Sequence, residues 1–381
     1  MKVAIITNII PSYMEGFYDR LFNQADITVK VYCQDHIPGM NLKPIHEKYG
    51  EKIKIIKFLA APKEKISWQF LPWREIYKSY DVVFVSGNPR VLSDVLISFI
   101  LHILGSGVVI WTQAHSFRGN VFSERIRLIW TRLFKNIFVY TDAEVDFLRN
   151  KGFKRNFILG MNNGLDQKKI DEVILNWTDT QLKEWRKSNS LDDKILLLSC
   201  ARLEPKNKFE QVLRAMPLML AKMPNLVWCL IGDGDNKLIL ETMVNKAGLE
   251  NHVRFVGVVY QENELAPWFL SSKILIHPAA IGLTLMHSFG YGLPVVTHGV
   301  AELHNPEYAA FEPERTGRNF LFGDINSLAN TVIGLLNDRS VLLSMKGYAL
   351  NVARERYNVD IMVERFITIA SKAKNKVTIK L

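Results

Sequence analysis

Residues 274–299, ILIHPAAIGLTLMHSFGYGLPVVTHG, read as an apolar strand, a turn of small residues, a short helix and a second apolar strand. That succession is a βα unit of a parallel sheet. Small residues feeding a helix N terminus make a site for an anion. The backbone N–H groups of Gly282, Leu283 and Thr284 are the unpaired donors of the first turn, and the helix dipole favours negative charge there. His287 falls about one turn further in, on the face of Leu283, where a polar ring would reach a hydroxyl of a ligand held by its phosphate.

The same grammar runs through the rest of the chain. VAIITNII, ITVKVYC, IKIIKFL, DVVFVSG, VVIWTQA and NIFVYT alternate with amphipathic stretches in the first half. KILLLSCARL, LVWCLIGDG, VRFVGVV and ILIHPAA repeat the pattern after a polar segment, Gln167 to Asp193. Two doubly wound α/β halves are expected, because 381 residues exceed one ordinary core. Ligands of such sheets lie at the carboxyl ends of the strands, so a ligand shared by the halves belongs in a cleft between them.

Composition narrows the function classes. Hydrophobic residues at 48% and charged residues at 23% are a globular balance. Met1-Lys2 leads straight into a strand-like run without a signal-peptide cleavage pattern, and the longest apolar run, 91–104, carries Asp94 and His102 and is too short to span a bilayer. A cytoplasmic protein is expected. Cys33, Cys200 and Cys229 are far apart, the last two inside apolar runs, and read as buried inert thiols. None of the nine histidines shows H-x3-H or H-E-x-x-H spacing, so no metal site is expected.

The net charge of +10 is unevenly spread. Residues 1–175 hold 24 Lys and Arg against 17 Asp and Glu (+7), residues 176–350 hold 17 against 18 (−1), and residues 351–381 hold 7 against 3 (+4). No zinc-finger spacing or aromatic RNA-binding signature accompanies the basic half, so nucleic acid is not the expected partner. Two stretches mix cations with aromatics: Phe117 to Asn136, and Lys52 to Tyr80 with Trp68, Phe70, Trp73 and Tyr77. Such mixtures suit a membrane surface, and equally a helix that packs its apolar face on a sheet.

Several short motifs sit where a ligand would be met. SCARLEPKNK (199–208) presents Arg202, Lys206 and Lys208 just after a buried strand, as cations able to hold a diphosphate and offset charge on a departing one. Gly232, in LIGDGD, marks a tight turn, and Gly257, in VRFVGVV, ends a strand where a planar base would approach the backbone. In the first half, Gly16 in NIIPSYMEGF would bring backbone N–H groups near an anion, and His115 in IWTQAHS closes a strand. Each of these also has a purely structural reading when taken singly.

Taken in order they are more specific. ARLEPKNKFEQVLRAM, LIGDGDNKLILETMVNKAGLENHVRFVGVV and GLTLMHSFGYGLPVVTHG, with NNGLD at Asn162 to Asp166 closing the first half, resemble family 4 glycosyltransferases of the GT-B fold. The resemblance implies two Rossmann-like doubly wound domains facing a cleft. An acceptor-side domain would span 1–170, with 352–381 crossing back onto it, and a nucleotide-sugar-binding domain 171–351. It implies transfer of a sugar from a nucleotide-diphosphate sugar to an acceptor hydroxyl, with retention, without metal and without a cofactor. Arg202, Lys206 and Lys208 with His115 would be the catalytic set. Gly16, Gly232, Gly257, Gly282, Leu283, Thr284 and His287 would bind the donor. The basic first half suggests a saccharide or lipid-linked saccharide acceptor in surface polysaccharide assembly, with peripheral contact at the inner face of an anionic membrane. A sugar-nucleotide epimerase and a noncatalytic nucleotide- or sugar-binding protein are the alternatives.

Three departures from the family pattern stand out. The usual two glutamates lie eight positions apart, and His287 stands at the second, which contacts the nucleotide ribose. The first is missing because PAAIGL is shorter than P-S-x-x-E-G-F-G-L. The lysine expected five residues after the arginine is Asn207, between Lys206 and Lys208. A neutral His287 both donates to and accepts from hydroxyls, so it is expected to replace the ribose contact.

Overall fold

The computed structural model describes residues 1–36, 45–60, 66–114 and 121–374, and the side chains of all of these but 121–123. The chain divides into two compact units. One holds Met1–Asn163 together with the segment from Val359 onward, and the other holds Gly164–Asn358.

In the first unit the strands are β1 (Lys2–Ile6), β2 (Thr28–Cys33), β3 (Ile53–Ile55), β4 (Phe58–Ala60), β5 (Ser67–Gln69), β6 (Val82–Ser86), β7 (Gly107–Trp111), β8 (Asn136–Val139) and β9 (Phe157–Gly160). Seven form one parallel sheet in the order β3-β2-β1-β6-β7-β8-β9, while β4 and β5 make a separate antiparallel pair. The helices are α1 (Glu15–Phe22), α2 (Trp73–Ser79), α3 (Leu92–Ile103), α4 (Val121–Arg132) and α5 (Asp142–Asn150). The central strands are apolar on both faces, as a sheet covered by helices on both sides requires: Val82 to Val85 are all buried.

The second unit opens with α6 (Gln167–Leu175) and α7 (Asp179–Ser188), so the polar segment 167–193 is largely two amphipathic helices. α7 starts at a capping box in which Thr178 and Gln181 satisfy each other's backbone. Then follow β10 (Ile195–Cys200), α8 (Glu210–Leu220), β11 (Leu226–Ile231), α9 (Lys237–Ala247), β12 (Val253–Gly257), α10 (Glu262–Ser271), β13 (Ser272–Ile276), α11 (Leu283–Gly290), β14 (Val295–His298), β15 (Gly317–Phe320), α12 (Ile325–Asn337) and α13 (Arg339–Glu355). Its parallel sheet runs β12-β11-β10-β13-β14-β15. One face packs on α6, α10, α11 and α13 around Phe269, Phe289 and Tyr291, the other on α8, α9 and α12 around Trp228 and Met216.

The last helix, α14 (Val359–Ala373), belongs to the first unit. Phe366 stacks on Phe84 at 4.1 Å, and Arg365 donates to Asp142 Oδ1 at 2.6 Å and to the Gly160 carbonyl at 2.8 Å. The chain changes unit seven residues before the 170/171 boundary and seven after 351/352. Packing accounts for both shifts: Ile170 lies in the core of the second unit and Gln167 Nε2 donates to the Gly290 carbonyl at 3.0 Å, while Val352 and Ala353 at the end of α13 are buried in that same core.

Candidate functional site

The order β12-β11-β10-β13-β14-β15 reverses direction at β10 and β13, whose carboxyl ends therefore open a crevice in the sheet. The loops leaving those two strands carry most of the residues singled out from the sequence. Thr284, in the first turn of α11, donates its hydroxyl to the Cys200 carbonyl at 2.7 Å and so ties the start of α11 to the end of β10. That side chain is committed, leaving Thr284 only its backbone N–H for a ligand.

The turn before α11 is held from one side. Ile281 N–H donates to His304 Nδ1 at 3.2 Å, Asn305 N–H to the Ile281 carbonyl at 3.0 Å, and Asn305 Nδ2 to the Ala280 carbonyl at 3.2 Å. A Cβ on Gly282 would stand 2.9 Å from Asn305 Nδ2, so glycine is what lets the two segments lie this close. Leu285 N–H is taken by the Gly282 carbonyl at 2.8 Å. The amides of Gly282, Leu283 and Thr284 have no acceptor among the described residues.

The cationic loop lies beside this cradle. Gly232 and Gly234, at φ 136° and 156°, run so close to it that a Cβ on Gly232 would fall 2.0 Å from the Ala201 carbonyl oxygen and one on Gly234 2.6 Å from that of Leu203. Gly232 N–H donates to the Gly257 carbonyl at 2.8 Å, which brings the third turn, after β12, into register with the other two. Gly257 has φ +87° and open space around its Cβ position. Asn207 is buried and donates to the Arg202 carbonyl at 2.6 Å, so the residue in the usual lysine's place shapes the loop. Glu204 accepts from Arg202 Nη1 at 3.1 Å and also pairs with Lys206. Lys208, in left-handed backbone at φ 53°, holds Nζ 4.4 Å from the centre of the Phe322 ring.

His287 is not a free polar ring. Its Nε2 lies 2.9 and 3.1 Å from the two Glu262 oxygens, and the ring stacks on Phe269 at 5.1 Å. Tyr291 also donates to Glu262 Oε1, at 2.5 Å. Burial works against the Glu262 charge, but the His287 ring and the Tyr291 hydroxyl outweigh it and hold the carboxyl below its ordinary value. A carboxylate therefore does stand beside position 287, contributed by α10. Tyr291 was legible as the residue one turn after His287, whereas nothing in the spacing of residues 262 and 287 announces their meeting. Replacing Glu262 with alanine leaves the Tyr291 hydroxyl without its acceptor in a half-buried pocket, and should lower unfolding free energy by about 1–3 kcal/mol. Glu262→Gln should recover much of that loss. Urea denaturation of the three proteins measures it, and equal midpoints would remove the pair from any structural role.

Beneath the cradle, His277, His298 and His304 are buried together. His298 and His304 stack at 4.0 Å, and His304 stacks in turn on Tyr308 at 3.9 Å. Burial pushes their pKa values down to about 4 for His277, 3 for His298 and 4 for His304. All three are neutral near pH 7. Because Val300 N–H donates to His298 Nδ1 at 3.2 Å, the His298 proton sits on Nε2, which is buried without a partner. Among the described residues no group of His, Cys, Asp or Glu side chains is placed to hold a metal ion. Cys200 and Cys229 are free, with burial pushing both thiols up to about 12.

In the first unit, Gly16 lies in the first turn of α1, and its carbonyl accepts from Arg20 Nη1 at 3.4 Å. His115 lies outside the described residues. A pocket of about 260 Å3 opens at the carboxyl ends of β1, β6 and β7, between Thr7, Asn8, Tyr13, Ser86, Trp111 and Tyr140.

Comparison with known proteins agrees with this geometry. Residues 181–352 match the family described as glycosyl transferases group 1. The chain is 26% identical over 121 residues to the UDP-N-acetylglucosamine–peptide N-acetylglucosaminyltransferase GtfA subunit of Streptococcus agalactiae, a match covering 30% of this chain and 22% of that protein. It is 21% identical over 268 residues to the uncharacterized glycosyltransferase MJ1059 of Methanocaldococcus jannaschii, covering 65% of this chain and 64% of that one. The matches thus span less than two thirds of either relative. The crystal structure of Anabaena HepE in complex with UDP superposes with a TM-score of 0.73 over 98% of this chain and 100% of that one, at 14% identity, a likeness of fold. Two Rossmann-like units with parallel sheets, the second built around that matched segment, make this an α/β chain with the GT-B fold, in which residues 181–352 match the glycosyl transferases group 1 family.

Proposed function

We propose that this chain transfers a sugar from a nucleoside-diphosphate sugar to an acceptor hydroxyl, with retention of anomeric configuration and without a metal ion or cofactor, as a family 4 enzyme would. One observation carries the reading: the hydrogen bond from Thr284 to the Cys200 carbonyl sets three acceptor-free amides beside the loop of Arg202, Lys206 and Lys208. Negative charge on a diphosphate leaving group grows as the glycosidic bond breaks, and each well-aimed donor is worth on the order of 3 kcal/mol to that step. His287, fixed by Glu262, takes the ribose side of the donor in place of the usual glutamate. Gly257 leaves room for the base, Gly16 is assigned to bring backbone N–H groups to the donor's anion, and His115 to orient the sugar. UDP is the first nucleotide to test, since Anabaena HepE was crystallised with it.

For the acceptor, a saccharide or lipid-linked saccharide of surface polysaccharide assembly fits the basic first unit, with the enzyme working at the inner face of the cell membrane. Titration calorimetry with UDP, GDP, dTDP and ADP tests the donor half. Binding of one nucleotide at micromolar concentration, followed by its release from the matching nucleotide sugar when acceptor is added, is the expected result. No binding by any of the four would overturn the proposal.

A further inference from the structure

α3 is built inside out. Its sheet-facing side buries Ser93, Asp94 and Ser98 alongside Ile97 and Leu101, whereas Leu92, Leu96 and Ile103 on the opposite side are exposed, Ile103 by 77%. A surface helix of a water-soluble protein normally shows the reverse. Positions 92, 96 and 103 follow helical spacing, so the apolar stripe runs the length of the helix, about 18 Å at 1.5 Å per residue. Burial raises the Asp94 pKa well above its ordinary value, against the Ser93 hydroxyl, which lowers it.

Each end of the stripe meets a second feature. At its start, β5 and α2 add a groove of about 340 Å3 lined by Trp68, Phe70, Trp73 and Leu96. Arg74 lies over the Trp73 ring at 5.2 Å, with Lys78 exposed one turn on. At its finish, His102 packs edge-on against Phe134 at 5.4 Å, beside a cavity of about 490 Å3 lined by Arg132, Lys135, Lys154 and Arg155 with no carboxylate. Arg132 is held by the Lys151 carbonyl and the Phe153 ring, while Lys135, Lys154 and Arg155 have no acidic partner among the described residues. Ile129 on α4 and Leu133 just after it, 68% and 52% exposed, extend the apolar surface.

We propose that this face of the first unit docks on an anionic phospholipid bilayer. α3 lies along the surface, and Trp68, Trp73 and Tyr77 sit at headgroup depth where amphipathic rings prefer to be. The cavity of Lys135, Lys154 and Arg155 takes a lipid phosphate. Uncompensated cations beside an exposed apolar stripe suit that partner, since attraction to anionic headgroups and shallow apolar insertion reinforce each other. No helix among the described residues is long and apolar enough to cross a membrane, so the contact is made in the plane of the surface. The inference gives the membrane contact of the proposed function a definite face, and its failure is separable from failure of the transferase reading because binding to vesicles requires no turnover.

The test is co-sedimentation of the full chain with phosphatidylcholine vesicles and with vesicles containing one third phosphatidylglycerol. Binding to the anionic vesicles alone is expected, weakening as salt is raised. Ile103→Asp combined with Ile129→Asp, and separately Lys154→Glu combined with Arg155→Glu, should each reduce partition roughly tenfold or more. All four side chains are exposed, so both variants should melt like the parent. Indifference to lipid charge, or undiminished binding by both variants, would overturn the proposal, and so would failure of the parent to bind anionic vesicles at low salt, which would leave this face to a protein partner.

Discussion

Replacing Gly232 with alanine is expected to remove roughly 3–5 kcal/mol of stability, a large share of what holds a domain folded. The added Cβ would lie 2.0 Å from the Ala201 carbonyl oxygen and 2.9 Å from its carbon. Both are backbone atoms, so no rotamer change relieves the contact, and φ 136° is itself costly for any residue with a Cβ. Relief can come only by parting β11 from the loop after β10. That movement would break the hydrogen bonds from Gly232 N–H to Gly257 and from Leu203 N–H to Asp233. Arg202 and Lys206 would then lose their position, so whatever fraction folds should bind nucleotide more weakly. Gly248→Ala is the control, because its φ is also positive, at +66°, but no atom lies within 4 Å of the Cβ position. It should cost only about 1 kcal/mol. Urea denaturation of both variants measures the difference, and equal losses would show that conformational strain alone matters at residue 232.

Acidification should loosen the second unit well before ordinary carboxylates titrate. His277, His298 and His304 have folded pKa values of about 4, 3 and 4. Below pH 6.5 the unfolded chain takes up protons that the folded unit refuses, so stability falls as pH drops from 6.5 toward 4. Each group contributes about 1.4 kcal/mol per pH unit, so at pH 5 the three together amount to several kcal/mol. The charges facing the group add to the effect, since Lys208 opposes protonation of His298. Asp94 in the first unit has the opposite sign. Its folded pKa is raised, so its unfavourable contribution at neutral pH shrinks as pH falls toward the ordinary carboxylate value. Hydrogen exchange at pH 7 and pH 5 should therefore show protection lost from β13 and β14 and kept in β6 and β7. Uniform protection at both values would contradict the assignment.

The fold was legible because its signals are local. Apolar runs such as KILLLSCARL and LVWCLIGDG, each ending in a glycine or polar turn, dictate buried parallel strands, and alternation with amphipathic stretches dictates the winding. The cradle at 282–284 was legible for the same reason, as a helix start after small residues. Pairings across the sheet were not. Glu262 meets His287 only because α10 and α11 flank β13, and His304 reaches Ile281 only because the segment after β14 folds back. In the sequence, Trp68, Phe70, Trp73 and Tyr77 stand in one mixed stretch, whereas the exposed stripe on α3 is formed by residues more than ten positions beyond them.

Glu204 gives the cationic loop a property that a bare pair of cations would lack. While Arg202 and Lys206 share its carboxylate, the loop already carries its own counter-ion. An incoming anion must exchange with that carboxylate, so monovalent ions and single phosphates, which offer little more than Glu204 does, gain almost nothing by entering. In the proposed function, the donor's two adjacent phosphates replace the carboxylate and also reach the amides of Gly282, Leu283 and Thr284. On the proposed function the loop acts as a threshold, passing over small anions and yielding to a diphosphate.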